Sequence, residues 1–106
     1  MRQEIANVHN SDEMGNPAGG HSEGVGIKID WQNGPLGLGA ERKEPNGAFV
    51  EGVLTAALQR LQYYQSTQFE CRENALAITK IEEALHWLDA RTNNRIARGV
   101  EGTHTK

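Results

Sequence analysis

Three arginines near the C-terminus, Arg91, Arg95 and Arg98, have the residue type and the spacing to bind an anion. Separations of four and then three residues put all three on one face of a helix. Each guanidinium group can donate two parallel hydrogen bonds, so guanidinium groups that face one way suit a phosphate or pyrophosphate. The alternative is that these cations only complement the negative end of the helix macrodipole, by ~0.3–1 kcal/mol each.

A second group of recognition residues lies where two predicted helices meet. Tyr63 and Tyr64 end the first helix, and Asn74 begins the second. A phenol ring can stack on a purine, and an amide can pair with the adenine edge through one donor and one acceptor. Arg72 adds a positive charge near a helix N-terminus, where backbone N–H groups also favour anions. The alternatives are that Tyr64 covers the hydrophobic core and that Asn74 makes a helix-capping or inter-helix hydrogen bond.

No arrangement of side chains in the sequence predicts catalysis. Glu82 and Glu83 are adjacent acids, but a carboxylate metal site between two helices needs several acids from both, and the first helix supplies only Glu51. Cys71 and His86 are separated by about 22 Å along a helix, too far for a nucleophile–base pair. The histidines and the cysteine have no metal-ligand spacing, and no phosphate-binding glycine motif is present. We therefore expect a protein that is not an enzyme and needs no cofactor.

Length and charge limit the class of protein. The chain has 106 residues, 37% of them hydrophobic, which is enough for one small domain. A net charge of −3 argues against binding DNA or RNA polymers through many phosphates. The single cysteine fits a reducing compartment, and the sequence contains neither a secretory signal nor a membrane-spanning apolar run. These features predict a soluble cytoplasmic protein with no membrane partner.

Residues 1–47 hold nine of the twelve glycines and all three prolines, a composition typical of turns and short strands. Alternating apolar residues predict a strand over 25–32, and a weaker pattern predicts another over 4–9. The stretch 16–20 is predicted to be a turn that lets these two strands pair antiparallel. A polar loop is expected over 36–45.

Apolar residues three and four positions apart predict two long helices, over 48–66 and 71–97. Asn46 is a candidate N-cap of the first helix, and Gly99 is the natural end of the second. The link over 67–70 is short, so the helices must pack antiparallel as a hairpin.

The predicted fold class is α+β: a small N-terminal antiparallel β-sheet followed by a two-helix antiparallel hairpin that assembles through its helices. Within one domain we distinguish a β-ribbon and loop region, 1–46, from the hairpin with its C-terminal tail, 47–106. Elements of this size leave apolar surface uncovered, which predicts packing against a second copy. Trp87 would be covered by that copy; the alternative is that the β-ribbon of the same chain covers it.

The distance between the two groups of recognition residues also predicts a second copy. Asn74 and Arg91 are separated by about 25 Å along one helix, whereas a nucleotide-sized ligand spans less than half of that. If two chains pack with these helices antiparallel, Tyr64 and Asn74 of one chain meet Arg91 and Arg95 of the other. The pair would form two equivalent pockets.

The C-terminal tail is predicted to close over such a pocket. Residues 99–104 contain two glycines that can act as hinges, and they end in Thr103 and His104. The polar side chains of Thr103 and His104 can donate and accept hydrogen bonds. We therefore count both among the candidate ligand-binding residues.

Several segments of the chain resemble the phage anti-Thoeris sponge family, whose helical hairpin is shared with phage sponges directed against CBASS immunity. The resemblance covers residues 45–104 well, residues 24–36 loosely and residues 1–23 hardly at all. The segments that carry it are Pro45–Glu51, Tyr63–Gln65, Phe69–Ala77, Ile81–Leu88, Ala90–Thr92 and Gly99–His104.

This resemblance implies an N-terminal antiparallel sheet and two long helices, in dimers that can assemble as hexamers, that is, as trimers of dimers. Family members are not enzymes. They sequester cyclic ADP-ribose isomers made by bacterial TIR-domain proteins, and they return the signal unaltered when denatured. Some members also hold CBASS cyclic di- or trinucleotides at separate sites. The implied place of action is the cytoplasm of the infected bacterial host.

Carried over by motif, the resemblance puts the base-stacking aromatic at Tyr64, the polar base reader at Asn74 and the phosphate or ribose contact at Arg91. A tyrosine in place of a phenylalanine keeps the stacking ring. Lys28 and Arg42 are candidates by charge only, because the N-terminal segments align too loosely. Two alternatives stay open: an enzyme that degrades the signal, and a protein-binding module that inhibits a host immune effector.

Overall fold

The computed structural model describes all 106 residues and divides them into two units. The sheet unit comprises residues 1–49 and 100–106, and the hairpin unit comprises residues 50–99. Along the chain the elements are β1 (Ala6–Ser11), β2 (Pro17–Gly24), β3 (Ile27–Asp30), a 3-10 helix (Gly39–Glu41), α1 (Val50–Gln65) and α2 (Arg72–Ala97). A three-stranded antiparallel sheet followed by two helices confirms the predicted α+β class.

The sheet has the strand order β1-β2-β3, which corrects the predicted two-stranded ribbon. Residues 17–20, predicted to form a turn, begin β2, and β2 pairs antiparallel with both neighbours. The prediction was wrong because β2 carries no alternating apolar side chains. It has glycine where the strands approach closely: Gly20 has a φ of +125°, and an added Cβ would lie 1.9 Å from the Val8 carbonyl oxygen.

Ser22 is the buried polar centre of the sheet, with 5% of its surface exposed. Its hydroxyl donates to Asn7 Oδ1 at 2.6 Å and accepts from Trp31 Nε1 at 2.9 Å. Asn7 lies on β1, Ser22 lies on β2, and Trp31 directly follows β3. One hydroxyl therefore links all three strands and satisfies a tryptophan N–H that would be costly to leave unpaired.

Asn46 does not cap the first helix, contrary to the prediction, because α1 begins only at Val50. Its side chain instead clamps Asn33: Oδ1 accepts from the Asn33 N–H at 2.8 Å, and Nδ2 donates to the Asn33 carbonyl at 2.9 Å. The Gln32 side chain adds a bond by accepting from the Asn46 N–H at 2.8 Å. The side-chain amides of Gln32 and Asn46 thus connect the segment that follows β3 to the segment that precedes α1.

The hairpin unit confirms the two predicted helices to within two residues at each end. Half-buried residues recur every three or four positions along α2; the apolar ones are Ala77, Ile78, Ile81, Ala84, Leu85 and Leu88. Gly99 follows the helix with a φ of +72°, the left-handed conformation that favours glycine at this position. No residue of either helix is fully buried, and neither helix combines the length and hydropathy needed to cross a membrane.

The C-terminal tail, residues 100–106, clusters with the sheet unit. Arg42 donates to both carboxylate oxygens of Glu101, at 2.6 and 3.0 Å. The Gly37 N–H donates to the Gly102 carbonyl at 2.8 Å. An added Cβ on Gly102 would lie 2.5 Å from the Gly37 carbonyl oxygen, so this docked position requires glycine.

Candidate ligand-binding site

The turn between the helices brings Tyr64 and Asn74 to the same end of the hairpin. Tyr64 is the residue before the last of α1, and Asn74 is the third residue of α2. The Gln65 side chain joins the two helix ends, because its Nε2 donates to the Cys71 carbonyl and its Oε1 accepts from the Cys71 N–H, both at 3.0 Å. We call Tyr64, Gln65, Cys71 and Asn74 the turn end.

Hydroxyl groups fix the backbone where α1 finishes. Ser66 Oγ donates to the Tyr63 carbonyl and Thr67 Oγ1 donates to the Tyr64 carbonyl, both at 2.6 Å. The same carbonyls also accept the backbone N–H groups of Ser66 and Thr67 at 3.0 Å, so each receives two donors at the helix end. The tyrosine rings stay accessible, since Tyr63 is 56% exposed and Tyr64 is 38% exposed. A ring on a fixed backbone is a suitable stacking platform.

Arg60 contacts both tyrosines, and sequence reasoning missed it. Its Nε donates to the Tyr64 hydroxyl at 3.1 Å, and its Cζ lies 4.9 Å from the Tyr64 ring centroid and 5.0 Å from that of Tyr63. The hydrogen bond to Tyr64 raises the pKa of Arg60. The three- and four-residue spacing of the arginine from the tyrosines was the signal available in the sequence.

Asn74 keeps its side-chain amide open. The side chain is half-buried and makes no hydrogen bond to the protein, so neither alternative role, capping or an inter-helix bond, is observed. Cys71 caps α2 instead, through Sγ, which accepts from the Asn74 N–H at 3.5 Å. Arg72 is exposed in the first turn of α2. The turn end therefore offers an aromatic ring and an amide with free donors and a free acceptor.

Arg91 and Arg95 lie toward the other end of α2, and we call them the arginine end. Arg91 is exposed, whereas Arg95 is half-buried. Arg98, the C-cap residue, donates through Nε to Asn94 Oδ1 at 2.9 Å. At ~1.5 Å per residue, Arg91 is about 25 Å from Asn74 along the helix. A single hairpin does not bring the turn end and the arginine end together.

Thr103 and His104 lie in the sheet unit, on the docked tail. Thr103 Oγ1 donates to the Val100 carbonyl at 2.6 Å, and His104 is exposed. The pKa of Asp12 is lowered, chiefly by the hydrogen bond from the Asn16 N–H and to a smaller extent by the charge of His104. His104 therefore lies close enough to the β1–β2 turn for its charge to act on Asp12, whereas the neutral Thr103 hydroxyl bonds within the tail.

The two residues proposed by charge alone differ in their surroundings. Lys28 is exposed on β3. Arg42 forms the two-point ion pair with Glu101, and that hydrogen bonding raises the pKa of Arg42. The guanidinium of Arg42 is thus already paired within the protein, which its charge did not predict.

The remaining polar groups make surface contacts. Lys80 Nζ lies 3.5 Å from a carboxylate oxygen of Glu83, an exposed pair three residues apart on α2. The His86 ring packs edge-on against Trp87, with centroids 5.7 Å apart. No group of three or more histidine, cysteine or acidic side chains could hold a metal ion. Stacking, amide pairing and guanidinium charge are the chemistry that the hairpin unit offers.

This fold and these side chains define a class: a small α+β protein whose helical hairpin presents an aromatic, an amide and a set of guanidinium groups. Residues 23–93 match the family described as Acb2/Tad1, hairpin domain, and the chain belongs to that family. The matched residues include Tyr64, Asn74 and Arg91. The match confirms the family that the sequence motifs predicted.

A phage protein is similar along much of the chain. The protein named Thoeris anti-defense 1, from Bacillus phage SBSphiJ7, is 45% identical over 96 residues. The alignment covers 83% of this chain and 65% of that relative, so the chain spans slightly less than two thirds of the relative's length.

Proposed function

We propose that this chain is a phage anti-defence sponge that binds and sequesters a cyclic ADP-ribose isomer, the signal of Thoeris immunity, without cleaving it. The observation that carries the proposal is membership of the Acb2/Tad1 hairpin family, together with 45% identity to a phage protein named for Thoeris anti-defence. The protein would act in the cytoplasm of the infected bacterium. Inhibition would be stoichiometric, so affinity and copy number would determine its effect.

The side chains at the turn end fit the base of such a ligand. Tyr64 offers an accessible ring on a fixed backbone, and Asn74 offers an amide without a protein partner. Arg72, in the first turn of α2, adds a positive charge beside them. Stacking on an aromatic ring contributes ~1–3 kcal/mol per base in single-stranded nucleic-acid complexes, and the amide supplies base selectivity.

The arginine end fits the pyrophosphate of the same ligand, but only if it comes from a second chain. Arg91 and Arg95 of one protomer would face Tyr64 and Asn74 of its partner across antiparallel helices, which gives two equivalent pockets per dimer. Thr103 and His104 would contact the bound ligand from the tail. In a trimer of dimers, further sites could hold CBASS cyclic di- or trinucleotides.

Uncovered apolar surface supports self-association. No hydrophobic side chain of the chain is buried, and Trp87 on α2 is 72% exposed. Sedimentation should therefore find dimers or hexamers, and Trp87→Glu should dissociate them, because an aromatic anchor at the centre of an interface typically contributes 2 kcal/mol or more, by order of magnitude. Val25→Glu, at an 83% exposed position in the sheet unit, is the matched control. A monomeric wild-type protein would contradict the proposed assembly.

A recovery experiment separates the three possible functions. The protein is incubated with a panel of cyclic ADP-ribose isomers, then heat-denatured, and the supernatant is analysed. Depletion of one isomer before heating and its intact release afterwards is the result expected of a sponge. Degradation products would identify an enzyme. A protein that depletes no isomer but captures a Thoeris effector would be a protein-binding module.

Mixing two inactive variants tests the shared pocket. Asn74→Ala and Arg91→Ala should each abolish binding by calorimetry while the assembly persists, and Asn93→Ala should bind normally. Random subunit exchange makes half of the dimers mixed, and each mixed dimer regains one intact pocket. Partial recovery on mixing is the expected result, and no recovery would mean that each pocket is built from one chain.

A further inference from the structure

Arg60 lies against the rings of both tyrosines of α1, Tyr63 and Tyr64. Its Cζ is almost equally far from the two ring centroids, 4.9 Å from Tyr64 and 5.0 Å from Tyr63, within the range of a cation–π contact. Only Tyr64 also receives a hydrogen bond, from Nε to the hydroxyl at 3.1 Å. The arginine therefore contacts both rings but is hydrogen-bonded to only one of them.

The geometry of the rings excludes one simple mode of binding. The centroids of Tyr63 and Tyr64 are 6.0 Å apart, and the ring planes are tilted by 51°. A flat base inserted between two rings needs parallel planes about 7 Å apart, twice the ~3.5 Å contact distance of carbon atoms. The guanidinium also lies beside both rings. A base can therefore stack on Tyr64 without being sandwiched between the two tyrosines.

We propose that Arg60 is a positioning residue for Tyr64: it holds the phenol by its hydroxyl and fixes the orientation of the ring on which the ligand's base stacks. This inference rests on the proposed function. A partly exposed tyrosine otherwise samples several rotamers, and ordering it on binding weakens affinity. With Arg60 in place, the ring is oriented before the ligand arrives. The guanidinium of Arg60 is protonated throughout the physiological pH range, so this hydrogen bond does not depend on pH there.

A direct contact between Arg60 and the ligand's phosphates is the competing explanation. In the proposed dimer the phosphates lie at the arginine end of the partner, one ligand length away from the base. A direct contact would give Arg60 an effect that does not depend on the Tyr64 hydroxyl and that weakens with salt. A positioning role requires the hydroxyl and is less sensitive to salt. The two explanations therefore make different predictions for a double variant.

The first measurement needs no ligand. Nitrogen-15 spectra of the full chain should contain one arginine Nε–H that exchanges slowly with water and is shifted by ring currents. Tyr64→Phe should remove its protection because the acceptor oxygen is lost, whereas Tyr63→Phe should leave it intact. Equal protection in wild type and Tyr64→Phe would mean that Arg60 does not donate to the Tyr64 hydroxyl, and the inference would be wrong.

The second measurement is a calorimetric cycle with the cyclic ADP-ribose isomer that wild type binds best. Arg60→Met and Tyr64→Phe should each weaken binding about two- to tenfold, the effect of ordering one side chain. The double variant should be no weaker than the weaker single variant, and Arg60→Lys, which can still donate to the hydroxyl, should recover part of the loss. Gln59→Met, an exposed neighbour on α1, is the control.

The outcomes distinguish this inference from the proposed function. If wild type binds and Arg60→Met binds equally well, Arg60 does not position Tyr64 for binding, and the proposed sponge function is unaffected. If the effects of Arg60→Met and Tyr64→Phe multiply, and the Arg60 effect weakens with salt, Arg60 contacts the ligand directly and is not a positioning residue. If wild type binds no isomer, the proposed function fails and the role of Arg60 fails with it.

Discussion

The sheet unit and the hairpin unit are stabilised in different ways. In the sheet unit, strands and tail meet at glycines, such as Gly20 and Gly102, and around the buried hydroxyl of Ser22. In the hairpin unit, the helices share an apolar stripe of which no residue is fully buried. Close fit and hydrogen bonding thus specify the sheet, whereas the hairpin retains exposed apolar surface, which a second copy would cover in the proposed assembly.

The largest expected difference in stability is between two glycine-to-alanine substitutions, one in each unit. Gly20→Ala should destabilise the sheet unit by ~3 kcal/mol or more, because it combines a strained φ with a Cβ placed on the Val8 carbonyl. Gly52→Ala in α1 meets no atom within 4 Å and should stabilise the helix by ~1 kcal/mol. Thermal unfolding followed by circular dichroism measures both. Shifts of the same sign would contradict the contrast.

The next effect concerns hydroxyl groups. Ser22→Ala should cost ~1–3 kcal/mol, because it leaves the Trp31 N–H and the Asn7 oxygen without their buried partner. Ser66→Ala removes an exposed hydroxyl at the end of α1 and should change stability by less than ~0.5 kcal/mol. Urea unfolding monitored by tryptophan fluorescence gives the two values. Equal losses of stability in the two variants would mean that the buried hydroxyl of Ser22 contributes no more than the exposed hydroxyl of Ser66.

A smaller effect is expected for the ion pairs. Arg42→Gln removes the two-point pair with Glu101, so the Gly37 N–H, which donates to the tail, should exchange with deuterium several times faster. Lys80→Gln removes the looser pair with Glu83, at 3.5 Å, and should leave backbone exchange in the hairpin unchanged. Unchanged exchange at Gly37 in Arg42→Gln would show that the Arg42–Glu101 ion pair does not hold the tail in place.

The smallest effect is a pH dependence confined to the β1–β2 turn. The pKa of Asp12 is lowered below 3.8 in the folded protein, chiefly by the hydrogen bond from the Asn16 N–H. The ionised Asp12 carboxylate therefore stabilises the folded protein. This stabilisation is fully present above the pKa of the unfolded state and is lost as the pH falls through the lower pKa of the folded state. The Asn16 amide resonance should move in that acidic window in wild type. It should not move in Asp12→Asn.

The two units also differ in how far the sequence predicts them. Both helices follow from apolar residues at helical spacing, and Gly99 marks the end of α2. The strand β2 could not be found, because its residues include glycines and a proline that are typical of turns, and its stabilising contacts lie on other strands. Asn46 was misassigned as a cap for the same reason: its partner, Asn33, is distant in sequence.

At the candidate site, too, the sequence predicts residue types better than it predicts their contacts. Tyr64, Asn74 and Arg91 could be chosen from residue type and from a family motif, and all three lie within the matched residues. The contacts that orient the turn end involve Arg60, Gln65 and Cys71. The Arg60 contact has a helical spacing that could be read from the sequence, whereas the bonds between Gln65 and Cys71 depend on how the turn closes. Docking of the tail through Glu101 depends on a pairing across most of the chain.

The amide of Gln65 has a consequence for natural variation. Its two hydrogen bonds to Cys71 join the helix ends directly, across the five intervening residues. Substitutions of the exposed side chains at residues 68–70 should therefore be better tolerated than substitutions of Gln65, whose amide makes both bonds between the helix ends. Among homologous hairpins, a glutamine or an equivalent bridging side chain should accordingly occupy the end of the first helix even where the exposed turn residues differ.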